Sequence, residues 1–310
     1  MKGGEMDRAV TTRIDETRCT GCGRCVSVCP KETLRLENGR AVVSGSESMH
    51  CDHCAAVCPE GAITVDAIDP RLATYDNFET DGRWLPYGEG DTAQLVRLMR
   101  SRRSCRNFRE TPVNPSLLGD LVKVGITAPS GSNHQPWTFT LLPDRDRVTS
   151  FARLIARFFD RLNRRAERAW LRTLLRLCGQ PALHNYYRDH YVTVKEGLAA
   201  WRGGGRDRLF HGAPAVIVVA ARRLASCPAE DALLATQNML LAAHTLGLGT
   251  CLIGFAVEAM RHDAGIAAAL EIPAEERVHA VVALGWPSKA EHYHALCGRL
   301  PVTVRRPDLI

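Results

Sequence analysis

Four cysteines spaced Cys19-x2-Cys22-x2-Cys25-x3-Cys29 and followed by Pro30 constrain this chain more than any other feature. Thiols two residues apart on a tight loop meet neighbouring corners of one bound group, and Gly21 and Gly23 free the backbone to wrap it. A second run, Cys51-x2-Cys54-x3-Cys58-Pro59, repeats the last three positions of the first, and its missing leading cysteine falls at Ser48. Seven of the twelve cysteines lie between 19 and 58. An even count raises a disulfide framework. A chain of 310 residues is far longer than small disulfide scaffolds, and its start, MKGGEMDRAV, lacks the apolar stretch of a secretory signal. Clustered thiols in such a chain point to metal. Zinc is the alternative to a multinuclear cluster, and the paired runs weigh against it.

The order and spacing resemble the bacterial two-cluster ferredoxins, in which the fourth cysteine of each run ligates the other cluster. That resemblance implies one cluster on Cys19, Cys22, Cys25 and Cys58, and a second on Cys29, Cys51 and Cys54 with an unusual fourth position. Ser48 is a poor ligand unless iron deprotonates it, because an alcohol is far less acidic than a thiol. His50 and His53 are alternatives, since imidazole suits iron. A three-iron cluster, a labile iron corner, or Ser48 as a mere spacer complete the set. The reading adopted is two 4Fe-4S clusters, the second atypically ligated.

Residues 1–75 read as one unit, with Asn38-Gly39 between short apolar runs as a hairpin signal and 62–65 as a further strand. Residues 76–90, rich in Gly, Asp and Pro, read as a linker. From 91 to 310 the pattern is that of a larger domain. Asp91 to Gln94 has the form of a capped helix start, and Asn114-Pro115 opens a second helix. Strands are expected at 137–142, 216–220 and 278–284, and a long apolar helix at 233–246.

Arg102-Arg103-Ser104-Cys105-Arg106, Pro129-Ser130-Gly131-Ser132-Asn133-His134-Gln135-Pro136-Trp137, Thr236 to Ala243, Gly247-Leu248-Gly249-Thr250 and Gly285-Trp286-Pro287 together resemble the nitroreductase superfamily over about residues 91–310. The implied fold is α+β, a sheet flanked by helices, preceded by a small ferredoxin-like domain. The implied cofactor is FMN. Its phosphate would be held by Arg102, Arg103, Ser104 and Arg106, with Arg299 near the C-terminus joining them; planar guanidinium groups suit phosphate oxygens. Pro129, Ser130, Gly131 and Asn133 would line the flavin ring, commonly from a second subunit, and Leu252, Ile253 and Gly254 would present backbone to its edge. The resemblance also implies a homodimer. Cys105, Cys178, Cys227, Cys251 and Cys297 read as small apolar fillers, Cys105 being the one whose pKa flanking arginines would lower, and His244 and His279 sit in apolar patterns and read as core histidines.

Residues 144–212 carry fourteen Arg and one Lys against seven acids, a net of +8 within a chain of net +6. This segment matches no motif and occupies the place of a helical lid, where its charge serves either an acidic substrate or donor, or simply a solvated face. Tyr186, Tyr187, Tyr191 and Trp201 would cap the flavin or pack. No nucleic-acid motif and no membrane-length apolar run accompany the charge. The expectation is a cytoplasmic oxidoreductase passing electrons from clusters to FMN and on to a small organic acceptor, such as a nitroaromatic, quinone, enone or halogenated compound, with reduced ferredoxin as donor. The competing classes are an electron carrier for a partner protein and an enzyme acting on flavin itself.

Overall fold

The computed structural model describes residues 8–306. The N-terminal unit contains β1 (Thr12–Ile14), α1 (Arg24–Ser27), β2 (Leu34–Glu37), β3 (Arg40–Val43), α2 (His53–Ala56) and β4 (Ile63–Val65). β1 pairs antiparallel with β4, closing the two ends of the unit on each other. β2 and β3 form the expected hairpin. Its turn holds Asn38 at φ 49° and Gly39 at φ 75°, the two consecutive positive angles that favour Asn-Gly in a tight hairpin. The hairpin also meets the first cysteine loop. A Cβ on Gly21 would stand 1.8 Å from the Gly39 carbonyl oxygen, and Gly21 is at φ +71°, so this contact admits no side chain.

The start of the segment that follows is tied to the larger unit. Asp120, fully buried, accepts from the backbone N–H of Asp76 and from the backbone and side-chain N–H of Asn77. Lys123 donates to the Thr74 carbonyl. Both side chains belong to α4 (Pro115–Gly125), which is capped by Asn114, while α3 (Thr92–Ser101) is capped by Asp91 as its sequence indicates.

The larger unit is built on four antiparallel strands in the order β5-β6-β8-β7: β5 (Trp137–Leu142), β6 (Ala215–Arg222), β7 (Gly249–Leu252) and β8 (Glu276–Gly285). β6 alternates between two cores. Val216, Val218 and Ala220 face a cluster with α5 (Arg145–Ala166) and α10 (Gly254–His262), whereas Ala215, Ile217, Val219 and Ala221 face α4 and α9 (Pro228–Thr245). A sheet covered on both faces has no polar side, which is why 215–221 is continuously apolar. The remaining helices are α6 (Ala169–Leu177), α7 (Ala182–Asp189), α8 (Tyr191–Arg202) and α11 (Ala264–Ala268). The basic segment begins inside the core, since Val148, Phe151 and Ile155 of α5 are buried against the sheet. Among the described residues no helix is long and apolar enough to cross a membrane.

Candidate functional site

The cysteines sort into two cradles. Cys19, Cys22, Cys25 and Cys58 surround a cavity of about 320 Å³, and Cys29, Cys51 and Cys54 surround another of about 370 Å³ together with Ser48. These are the two groups of cysteines that the resemblance to two-cluster ferredoxins implies. Among the described residues, no group of three His, Cys, Asp or Glu side chains converges on a point suited to a single ion. Backbone N–H groups aim at the sulfurs: Ala41 to Cys19 at 3.4 Å, Ala62 to Cys58 at 3.3 Å and Thr33 to Cys29 at 3.3 Å. Such donors favour thiolate. At Cys29 burial opposes the charge, but the Thr33 hydroxyl and neighbouring backbone N–H groups outweigh it and hold the thiol below its ordinary pKa. The donor set and spacing fit iron–sulfur clusters.

In the second cradle Ser48 is buried and its Oγ accepts the His50 backbone N–H at 3.1 Å. The His50 ring turns away, with Nε2 bonded to the Ala9 carbonyl at 2.7 Å. His53 begins α2 and lines the cavity.

The arginine run lies near the C-terminal end of α9, where Arg102 neighbours His244. Ser104 bridges in parallel to Thr250 of β7, and the Cys105 N–H donates to the Thr250 carbonyl at 2.8 Å. The close fit depends on Gly249, where a Cβ would sit 2.6 Å from Cys105 Cβ. Burial lowers the pKa of the half-buried Arg102, and the neighbouring Arg103 and Arg299 charges lower it further. Guanidinium groups crowded in this way form an anion site, because a phosphate would relieve both costs. Arg106 is exposed, but its backbone N–H donates to Glu291 Oε1, which also accepts from the Asn107 side chain at 2.7 Å. Glu291 thus shapes the loop from 185 residues away, which no local pattern discloses. The site chemistry fits an FMN phosphate.

Leu252, Ile253 and Gly254 run from β7 into the N-terminus of α10. The Ile253 N–H is already used by the Val281 carbonyl, so the amides left for a flavin edge are those of the first helical turn. Cys105 does not behave as an activated thiol. It is 4% exposed, and burial pushes it up to about 11, with the Glu291 charge raising it further. His244 is exposed near Arg102 and is not a core residue, while His279 is half-buried with Nε2 unpartnered.

The Pro129–Asn133 loop is held elsewhere. The Gly131 N–H donates to Asp231 at the start of α9, and Ser130 Oγ accepts from the Gln135 N–H. Asn133, expected beside the flavin ring, sends its side-chain amide to the Met49 and His50 carbonyls. In one chain the two halves of the expected FMN site therefore sit at opposite ends of α9. Asp231 and His244 are about 20 Å apart at 1.5 Å per residue.

The basic segment spends much of its charge internally. Six of its fifteen cations form ion pairs, among them Arg145 with Asp207 at 2.9 Å and Lys195 with Glu167 at 3.0 Å. Tyr186 donates to Asn163 and Tyr191 to Glu167, while Tyr187 stacks on Tyr191, so the three tyrosines pack the segment. Trp201 instead lines an open, mainly apolar pocket with Ile155, Phe159, Leu198, Leu209 and Phe255, the residue following Gly254.

Residues 99–286 match the nitroreductase family, and residues 11–66 match the 4Fe-4S dicluster domain. The chain is 40% identical over 67 residues to an uncharacterized ferredoxin of Methanocaldococcus jannaschii, an overlap of 20% of this chain and 87% of that protein. It is 29% identical over 206 residues to a nitrobenzene nitroreductase of Ectopseudomonas oleovorans, covering 61% of this chain and 85% of the relative. The FMN-bound nitroreductase of Bacteroides fragilis overlaps with 70% of this chain and 98% of its own, at 19% identity and a TM-score of 0.48. The family match spans more than half of the sequence and carries the arginine run, the Pro129–Asn133 loop and β7, so this chain belongs to the nitroreductase family, with a 4Fe-4S dicluster domain preceding the family domain.

Proposed function

We propose that the protein is an FMN-dependent oxidoreductase that takes single electrons in at two iron–sulfur clusters and delivers them, through FMN, to a small apolar acceptor. The observation that carries this reading is the presence of two crossed cysteine cradles and a crowded arginine site in one chain. When bound, the clusters supply one-electron transfer and FMN supplies two-electron chemistry. Arg102, Arg103, Ser104, Arg106 and Arg299 hold the phosphate. Leu252, Ile253 and Gly254 place the α10 N-terminus, with its partial positive charge, at the ring. The cavity at Phe255 and Trp201 favours a ring-bearing acceptor with little charge, such as a nitroaromatic, quinone, enone or halogenated compound.

A twofold dimer completes each FMN site, because the phosphate half and the Pro129–Asn133 half of one chain are separated by the length of α9. Leu95, Val96 and Met99 of α3 and Leu233 and Leu234 of α9 are exposed and supply apolar surface for that contact.

Anaerobically purified protein should carry FMN and iron and should reduce acceptors with reduced ferredoxin as donor, NADPH being poor. Cys22→Ala should lose turnover with reduced ferredoxin yet retain it with chemically reduced flavin. Equal turnover of wild type and Cys22→Ala on NADPH would remove the clusters as the entry point, and net consumption of FMN under oxygen would make flavin the substrate.

A further inference from the structure

We propose that the second cysteine cradle of one protomer serves the FMN whose phosphate is held by the arginines of the other protomer, and that Asn133 is the residue that positions it. This rests on the two-chain FMN site proposed above.

The Asn133 side-chain amide donates to two successive carbonyls, Met49 at 2.9 Å and His50 at 3.0 Å, while its Oδ1 accepts from the Gln135 side chain at 3.0 Å. Carbonyls only accept, so the amide orientation is set by the network. A second strap lies beside the first. The Arg8 guanidinium donates to the Ser132 carbonyl at 3.0 Å, and its own carbonyl accepts the Ser48 N–H at 2.8 Å. Residues 48–50 form a wall of the Cys29, Cys51 and Cys54 cavity, so both straps fasten that wall to the Pro129–Asn133 loop. His50, Ser132 and Asn133 all adopt left-handed backbone, at φ 50°, 51° and 55°. Such angles are unfavourable away from glycine and persist where surrounding contacts impose them.

The first cradle has no such fastening. Its hydrogen bonds, among the described residues, stay within the N-terminal unit. The exit towards flavin is therefore the cradle that lacks a fourth cysteine. Since the loop it touches and the arginine run of the same chain lie at opposite ends of α9, the flavin it faces is anchored by the partner. Each FMN reduction takes two electrons, one from each cluster, with two protons from water, and a one-electron donor of the ferredoxin class refills the clusters.

Mixed dimers separate this arrangement from delivery within one chain. In the first, one chain carries Arg102→Ala and the other Cys54→Ala; in the second, one chain carries both changes and the other neither. Each binds one FMN per dimer. Loss of flavin absorbance after mixing with reduced ferredoxin should be as fast per FMN as wild type in the first dimer and at least about tenfold slower in the second. The reverse order, or equal rates, overturns the proposal. Should Cys54→Ala unfold its domain, Asn133→Leu in the same pairings gives the same contrast. In the wild-type background Asn133→Leu should keep FMN while amide exchange at 48–54 rises about tenfold for two lost hydrogen bonds. Loss of FMN with unchanged exchange there would make Asn133 a flavin ligand and overturn the clasp. Wild type devoid of FMN would instead remove the two-chain site itself.

Discussion

Replacing Asp120 tests how the N-terminal unit is moored. Its carboxylate is fully buried and accepts three donors: Asp76 N–H at 3.0 Å, Asn77 N–H at 2.8 Å and Asn77 Nδ2 at 2.8 Å. Hydrogen bonds to a charged group contribute about 1.5–3 kcal/mol each when the partner is left stranded. Here residues 76 and 77 are exposed, so their N–H groups regain water and each loss falls towards the low end. The Lys123 ammonium, 3.7 Å away and mostly shielded, contributes a fraction more. Asp120→Ala should cost about 4–5 kcal/mol. Asp120→Asn, which turns an amide N–H towards donors, should cost about 2 kcal/mol. Burial raises the Asp120 pKa, but the Asn77 side chain and the two backbone N–H groups override it and leave the group below the ordinary carboxylate value. A depressed folded pKa means that the contribution is complete above the unfolded value near 3.9 and is lost as pH falls through the folded one. Denaturant unfolding at pH 7 and amide exchange at 74–78 give the readout, and Asp120→Asn should flatten the acid limb. If both variants unfold within about 0.5 kcal/mol of wild type with exchange unchanged, the mooring argument is wrong.

Three further outcomes follow from close contacts and one missing thiol. Gly249→Ala should push Ser104–Cys105 off β7, costing about 1–3 kcal/mol, and FMN retained after desalting should fall; full retention would show that the contact yields freely. Gly21→Ala collides with the Gly39 carbonyl, so iron in the first cradle should be lost while the second cradle and FMN remain, measured by iron and flavin content. Ser48→Cys places a thiol at the open position of the second cradle and should shift one set of EPR signals towards ordinary ferredoxin behaviour. Unchanged spectra and potentials would make Ser48 a spacer.

Much of this was legible in sequence because the relevant physics is local. Cysteine spacing points to a cluster loop because two paired runs of closely spaced thiols, each followed by Pro, bring several donors to one place. Asn38-Gly39 specifies its hairpin because both residues tolerate positive φ, and Asp91 and Asn114 mark helix starts because each caps free N–H groups within its own turn. The arginine run reads as a phosphate site only beside the downstream motifs that share its family resemblance; alone it would read as solvated surface. Tertiary structure decided what depends on partners distant in sequence. Cys105 has arginines beside it in sequence yet a raised pKa, because it is buried, packed close against Gly249. Glu291 reaches Asn107 only through the returning tail. Asn133, placed by its motif beside a flavin, is turned towards Met49 and His50, since the N-terminal unit offers two carbonyls where the isolated domain would offer none. The fastening of residues 48–50 to the Pro129–Asn133 loop joins segments more than 80 residues apart, so only the packed structure discloses it.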